Sequence, residues 1–203
     1  MSGTPDIFEA IGADLSAAQT KKRRHFIPAI VIVAIAIGGL LAMLGLRSDF
    51  ASMPAWRQAS FVASWFVCLL LFPAVGVGLW FPSRGQKVAL ATVGVLLPVT
   101  ATLGWPIVPA GGHAAGPCAA MTLSVGVVLV GVGAVSGAFA QRRSRSSTVW
   151  VATGLALASL VSVSCACPIS EIDHLVFGHF APAAGLAALG VLLGRWLHAR
   201  MRG

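Results

Sequence analysis

An all-α integral membrane protein is predicted by two observations, the composition of the chain and the spacing of its charges. Of the 203 residues, 57% are hydrophobic and 10% are charged, whereas soluble domains carry about 25% charged residues. The charges lie in short clusters that separate long apolar runs, and a transmembrane helix needs roughly 20 mostly apolar residues. A single bundle of membrane helices is therefore predicted.

Six apolar runs are predicted to cross the membrane. None contains Asp, Glu or Lys, and the only Arg within them is Arg195, near the end of the last run. Residues 26–203 are thus interpreted as one transmembrane domain, preceded by a polar segment at residues 1–25. The predicted spans are residues 26–46, 61–81, 88–105, 118–140, 149–165 and 175–197.

The basic residues predict the orientation of this bundle. Only Arg47 and Arg57 would lie on one side of the membrane, and the other Lys and Arg residues would lie on the opposite side together with both termini. By the positive-inside rule the basic side is cytoplasmic. Because the basic residues follow the membrane edges and are not interleaved with exposed aromatic residues, no direct contact with nucleic acid is predicted.

A short amphipathic helix is predicted in the N-terminal segment. Thr4-Pro5-Asp6 has the residue types of a helix start. Apolar residues then recur at helical spacing on one face, and acidic residues lie on or near the other. An acidic face suits an anionic lipid surface poorly, so docking into a groove of a soluble partner fits better, although both interpretations stay open. The candidate contact residues are Asp6, Ile7, Phe8, Ile11, Asp14 and Leu15.

Three of the four cysteines are predicted to lie at one depth, at the outer face. Cys118 begins the fourth span, whereas Cys165 ends the fifth and Cys167 follows it. In an oxidising compartment Cys118 could form a disulfide with either of them. Alternatively, the thiolates could bind a soft metal together with an imidazole, with Cys118, Cys167 and His113 as candidate ligands. Simple packing is a third interpretation, and it is the one preferred for Cys68 at mid-membrane.

Two further functional classes use the same cysteines. A membrane thiol oxidoreductase would need a quinone pocket beside a thiol pair, which is usually spaced by two residues. A soft-metal transporter would need a second set of ligands on the inner side, where no pair of thiols or imidazoles is found. The chain also lacks a Ser/His/Asp set and a phosphate-binding loop. It is therefore predicted not to be an enzyme, with no cofactor and no small-molecule substrate.

Four short motifs follow one another along the chain: Asp6-Ile7-Phe8 through Gly12-Ala13-Asp14-Leu15, Gly45-Leu46-Arg47-Ser48-Asp49, Gly112-His113 before Cys118, and Cys167-Pro168 followed by acidic residues and Phe177-Gly178. In their order and spacing these motifs resemble the NrsF-like membrane anti-sigma factors, the negative regulators of sigma-F. The resemblance covers most of the chain and its six spans, and it implies a bacterial inner membrane. The chain departs from the family pattern at Ala166, where a His is expected, at Ile169, where an acid is expected, and in its additional thiol, Cys165.

The resemblance implies a function in transcription regulation. The N-terminal segment would hold an extracytoplasmic-function sigma factor at the membrane, away from RNA polymerase. Cys118 and Cys167 would be the sensing pair, with Cys165 as a third thiol, and their reaction with an oxidant or heavy metal would release the sigma factor. The partners implied are thus the sigma factor and the lipid bilayer.

Overall fold

The computed structural model describes three long stretches of the chain and scattered earlier positions. The described residues are 11–17, 20, 27–28, 31, 34–35, 37–39, 42, 45–103, 114–140 and 145–200. Every regular element within these ranges is helical and none is a strand. The predicted all-α class is therefore confirmed.

Five long helices form the described part of the bundle. The first contains a π-helical turn at Val67–Leu71 and the last contains another at Val176–Phe180. A 3-10 turn at Phe50–Ser52 precedes the first helix. The helices are α1 (Ala55–Gly76), α2 (Arg84–Leu103), α3 (Gly116–Ala140), α4 (Arg145–Ala166) and α5 (Ile172–Arg200).

Four helical segments of the described residues are long and apolar enough to cross a membrane. They are α1, α2, the Thr148–Ala166 part of α4, and α5. They overlap the second, third, fifth and sixth predicted spans. The described apolar part of α3, Gly116–Gly131, is shorter. The first predicted span lies mostly outside the described residues, so the total of six stays a prediction.

The N-terminal positions that the structure describes are helical. Residues 11–17 form a helical stretch whose side chains are exposed. The described positions between 27 and 42 are helical as well. Among them, Ile37 is buried in a core cluster with Cys68, Leu129 and Leu155. The first predicted span therefore packs against the bundle at this position.

The start of α1 differs from the predicted span because Arg57 is inside the helix. The helix begins at Ala55, whereas the predicted span begins at residue 61. Arg57 is buried, and its Nε and Nη2 donate to the carbonyls of Ala101 (3.1 Å) and Thr102 (3.4 Å). The last carbonyls of a helix have no partner within it and favour a nearby cation. Arg57 thus joins α1 to the end of α2.

Helix α4 is the central helix of the described bundle. It contacts each of the other four long helices. Within Thr148–Ala166, 72% of the residues are buried, against 28% to 44% in the other three candidate membrane helices. Residues at both ends of α4 are thus surrounded by protein, which makes buried polar sites possible there.

The two ends of the bundle carry different residues. Helices α2 and α4 begin, and α5 ends, at the end that carries Arg84, Arg145 and Arg200, which we call the basic end. Helix α4 ends, and α3 and α5 begin, at the opposite end. This end carries Cys118 and Cys167, and we call it the thiol end.

Candidate metal centre at the thiol end

The thiol end brings together two cysteines that are distant in sequence. Cys118 lies in the first turn of α3, directly after Pro117, a residue type favoured at helix starts. Cys167 follows α4, and its backbone N–H donates to the carbonyl of Val163 at 2.9 Å, which continues the helical pattern. The two Sγ atoms are 3.6 Å apart. The predicted pairing of Cys118 with Cys167 is therefore geometrically available.

This sulfur–sulfur distance is that of two free thiols in contact, and it is compatible with a shared metal ion. A disulfide bond is about 2.05 Å long. Two thiolates bound about 2.3 Å from one tetrahedral zinc ion lie about 3.8 Å apart. The observed 3.6 Å between Cys118 and Cys167 is close to the second value. The same pair could still close into a disulfide by a movement of about 1.5 Å.

A π-helical turn places two histidines of α5 beside these thiols. His174 and His179 are five residues apart, which in an α-helix puts them about 140° apart around the axis. The π-helical turn Val176–Phe180 inserts an extra residue, and residues five apart then lie one above the other. Their ring centroids are 5.4 Å apart. The local helix geometry thus directs both rings to one side.

Both imidazoles are buried and each has one nitrogen with a polar neighbour. His174 Nε2 lies 3.3 Å from Cys167 Sγ, and His179 Nδ1 lies 3.2 Å from the hydroxyl oxygen of Ser164. The remaining atoms, His174 Nδ1 and His179 Nε2, are buried without a hydrogen-bond partner. An unsatisfied buried polar group costs about 1–3 kcal/mol. A bound cation would remove that cost at His179 Nε2.

The four side chains together form a complete candidate ligand set. One ligand atom from each of Cys118, Cys167, His174 and His179 lies within 4.8 Å of the others. Two sulfurs and two imidazole nitrogens are the ligands that tetrahedral zinc and related soft ions take in proteins. A histidine that binds a metal also usually donates a hydrogen bond from its other ring nitrogen. In His179 that nitrogen is Nδ1, and the hydroxyl oxygen of Ser164 is 3.2 Å away to accept the bond.

Close contacts between α3 and α5 fix the position of the π-helical turn. The hydroxyl of Thr122 donates to the carbonyl of Gly178 at 3.1 Å. A Cβ atom on Gly178 would lie 3.4 Å from both the Ala115 carbonyl and Cys118 Cβ. A larger side chain at position 178 would therefore push α5 away from Cys118.

The other two cysteines lie outside this set. Cys165 is fully buried in an apolar cluster with Phe61, Leu160 and Ala183. Cys68 is fully buried near the middle of α1, in the cluster that contains Ile37. Neither belongs to the four-residue group. Cys165 was predicted as a third sensing thiol, and its position instead suits packing.

The remaining predicted site residues fall into two groups. Ile11, Asp14 and Leu15 are exposed on the helical residues 11–17. Asp6, Ile7 and Phe8 lie outside the described residues, as does His113, the predicted imidazole ligand.

His174, His179 and Ser164 were not identified as site residues from the sequence. A spacing of five residues does not place His174 and His179 on one face of an α-helix. The signal that points to them is a His-x4-His pattern that begins six residues after Pro168.

Comparisons of this chain with protein-family models, with curated proteins and with solved structures give no significant match. Because a fold alone does not specify a function, the functional conclusion depends on the site and on the motifs in the sequence.

Proposed function

We propose that this chain is a membrane-bound regulator that binds a soft metal ion at its thiol end and controls an extracytoplasmic-function sigma factor through its N-terminal segment. The observation that carries the proposal is the group of four ligand atoms, from Cys118, Cys167, His174 and His179, within 4.8 Å. Six spans in a bacterial inner membrane, with both termini in the cytoplasm, complete the proposed arrangement.

The two histidines favour a metal over an oxidant as the stimulus. A disulfide between Cys118 and Cys167 needs only two sulfurs and leaves the buried imidazoles without a role. A tetrahedral ion uses all four side chains. It also gives His179 Nε2, which has no hydrogen-bond partner, a cation to bind. Zn²⁺, Cd²⁺ and Cu⁺ are the candidate ions, because thiolate and imidazole ligands select soft and borderline cations.

Oxidation is the second candidate stimulus, favoured by the 3.6 Å separation of the sulfurs. In that reaction the thiols of Cys118 and Cys167 would lose two electrons and two protons to form one disulfide bond. Hydrogen peroxide would accept these electrons and protons and be reduced to two molecules of water. Metal binding and oxidation exclude each other, because a disulfide sulfur is no longer a thiolate ligand.

A transporter is disfavoured by the groups between the two ends of the bundle. Among the described residues, one group of three or more metal-ligating side chains is found, and it is the one at the thiol end. Ser159 and Ser162 of α4 donate to carbonyls of their own helix, Ala156 and Ala158, at 2.8 Å. A metal leaving the thiol end would thus meet hydroxyls already engaged in hydrogen bonds.

The N-terminal segment supports a protein partner. Ile11 and Leu15 are 51% and 63% exposed on a helical stretch, although both are large apolar residues. An amphipathic helix can bury such residues in a groove of a partner protein. We assign this role to the sigma factor because the motifs of the chain resemble membrane anti-sigma factors.

Metal binding can supply enough free energy for the proposed release. Moving a bound partner from 99% to 1% occupancy needs about 5.5 kcal/mol of differential binding. Structural Zn²⁺ sites in small peptides bind with apparent free energies of about 10–16 kcal/mol at neutral pH. About a third to just over half of that free energy, coupled to the partner site, would therefore suffice.

The first test measures the metal site in the purified full-length protein. Reduced protein is titrated with CdCl₂ in competition with a chelator of known affinity. We expect one ion per chain and loss of that site in the double variant Cys118→Ser/Cys167→Ser. The matched control is Cys68→Ser/Cys165→Ser, which keeps the same number of thiols and should bind as the wild type does. Equal binding by both double variants would refute the assignment.

The second test measures the partner. The full-length protein in lipid nanodiscs is used to capture soluble proteins from its own cell type, with and without CdCl₂. We expect one sigma factor to be captured without Cd²⁺ and released with it. A deletion of residues 5–15 should abolish capture without affecting membrane insertion. Capture that is unchanged by this deletion would reject the N-terminal assignment.

A further inference from the structure

In the chain that joins the first predicted span to α1, Arg47 makes hydrogen bonds to the residues around Cys167. Gly45 has a φ of +76°, a left-handed conformation typical of glycine at the end of a helix, and residues 45–47 are not helical. Arg47 is 4% exposed although it carries a charge. Such a residue needs several partners, and they lie on both sides of Cys167.

Arg47 binds the residues before and after Cys167. Its backbone N–H donates to the carbonyl of Cys165 at 2.9 Å, which is one of the last carbonyls of α4 and has no partner within the helix. Its Nη2 donates to the carbonyl of Pro168 at 3.1 Å and lies 3.5 Å from the hydroxyl oxygen of Ser170. One residue thus fixes both flanks of a candidate ligand.

Asp49 fixes the orientation of this guanidinium group. Arg47 Nε lies 2.5 Å from Asp49 Oδ1, and Arg47 Nη2 lies 2.8 Å from Asp49 Oδ2. This paired geometry is the arrangement that makes arginine–carboxylate contacts directional. A lysine could keep the charge but not the two parallel hydrogen bonds.

We propose that Arg47 is the positioning residue that couples Cys167 to the first predicted span, and through it to the N-terminal segment. The inference rests on the proposed function, because it assigns a route to the signal which that function requires. When a metal ion binds the thiolate of Cys167, the segment around Cys167 is held in place, and Arg47 is held with it. The next residues toward the N-terminus are those of the first predicted span.

The chain contains a matched control for this role. Arg57 is also a buried arginine at the thiol end, but its guanidinium binds carbonyls of α2 and none of the residues that flank Cys167. Replacing it removes a buried charge and two hydrogen bonds but none of the hydrogen bonds that Arg47 makes around Cys167. A general loss of stability at this end should therefore affect both variants, whereas loss of coupling should affect only the Arg47 variants.

Hydrogen–deuterium exchange of the full-length protein in nanodiscs, with and without CdCl₂, tests the proposal. In the wild type and in Arg57→Gln, Cd²⁺ should slow exchange both at residues 165–170 and at residues 45–52. In Arg47→Gln, we expect the response at 165–170 to remain. The response at 45–52 should fall about fivefold or more, a typical size for coupling between two sites. Arg47→Lys, which keeps the charge and the backbone contact, should give an intermediate response.

The outcomes separate this inference from the proposed function. If Cd²⁺ changes exchange at 165–170 in the wild type but not at 45–52, or if both Arg47 variants respond at 45–52 as the wild type does, Arg47 does not couple the two. If Arg47→Gln loses Cd²⁺ binding altogether, the test uses Arg47→Lys alone. A response of that variant at residues 45–52 equal to that of the wild type would refute the coupling. If the wild type shows no response at 165–170, the metal centre itself is refuted and the inference falls with it.

Discussion

The thiol end and the basic end of the bundle are held together by different interactions. At the basic end, α5 approaches its neighbours through glycines: a Cβ on Gly190 would meet Val130 and Ala152, and a Cβ on Gly194 would meet Thr148. Such small residues let helix backbones pack closely in membranes. At the thiol end, the contacts are made instead by buried polar side chains.

The difference indicates which end can change its state. Apolar contacts between small residues have one close-packed arrangement and no chemistry that a ligand could alter. Thiols, imidazoles and a buried arginine can exchange their partners when an ion binds. We therefore expect the thiol end to respond to metal, while the packing of α5 against α3 and α4 at the basic end stays fixed.

The largest expected effect comes from removing one ligand. His179→Ala should lower the affinity for Cd²⁺ by more than about 100-fold, since loss of a residue that only supports a ligand already costs about 10–100-fold. The matched control is His198→Ala, because His198 is also a buried histidine of α5 with an unpartnered Nε2, but lies near the basic end. Competition titrations should show unchanged affinity in the control. Similar losses in both variants would remove the distinction between the two ends.

The next effect concerns packing at the basic end. Gly190→Ala should lower the free energy of unfolding by about 1–3 kcal/mol, the usual cost of overpacking. The neighbouring Ala152 has no rotamer by which its Cβ could move aside. Gly185→Ala is the control in the same helix, because a Cβ there meets nothing within 4 Å. Denaturation in mixed detergent micelles measures both, and an equally destabilised control would contradict the packing account. Cd²⁺ affinity should stay unchanged in both variants.

A smaller effect is expected from the residue that supports His179. Ser164→Ala removes the hydroxyl 3.2 Å from His179 Nδ1 and should reduce Cd²⁺ affinity about tenfold, at the low end for such residues. Ser124→Ala is the control, since that hydroxyl is exposed and donates to the Ala120 carbonyl of its own helix. If the Ser164 variant binds as tightly as the control, the hydroxyl does not orient the ring.

The smallest expected effect is a pH dependence of stability that comes from Asp49, at the edge of the thiol end. The hydrogen bond from Arg47 lowers the pKa of Asp49 below its ordinary value of 3.8. A lowered pKa contributes stability that is present above the unfolded value and is lost as the pH falls through the folded value. Asp49 is partly exposed, so the contribution should be below about 1 kcal/mol.

Thermal unfolding of the metal-free protein measures this contribution. The wild type should be slightly more stable than Asp49→Asn at pH 6, and the difference should shrink as the pH falls below 3.8. A difference that persists or grows on acidification would show that the ion pair is not its cause.

The sequence predicted the class of the protein and half of the candidate site. Long apolar runs predict membrane helices whatever their packing, and the four described candidates overlap four of the predicted spans. Predicted depth brought Cys118, Cys165 and Cys167 together, and the family resemblance implied Cys118 and Cys167 as the pair. Depth does not indicate direction around a helix, however, and Cys165 has the same depth but packs into an apolar cluster.

The rest depended on geometry that hydropathy and helical periodicity do not contain. His174 and His179 meet only because α5 includes a π-helical turn, and a periodicity of 3.6 residues separates them. Arg57 lies within α1 because its charge is matched by the end of α2, a contact between residues 44 positions apart. In both cases a contact between helices places the side chain where its position in the sequence does not predict it.

X-ray absorption spectroscopy of the full-length protein loaded with one equivalent of Zn²⁺ tests the central claim most directly. We predict a four-coordinate ion with two sulfur ligands at about 2.3 Å and two imidazole nitrogens at about 2.0–2.1 Å. The double variant Cys118→Ser/Cys167→Ser should lose both sulfur ligands. An ion surrounded only by oxygen and nitrogen in the wild type, or no retained ion, would contradict the assignment of the thiol end as a metal centre.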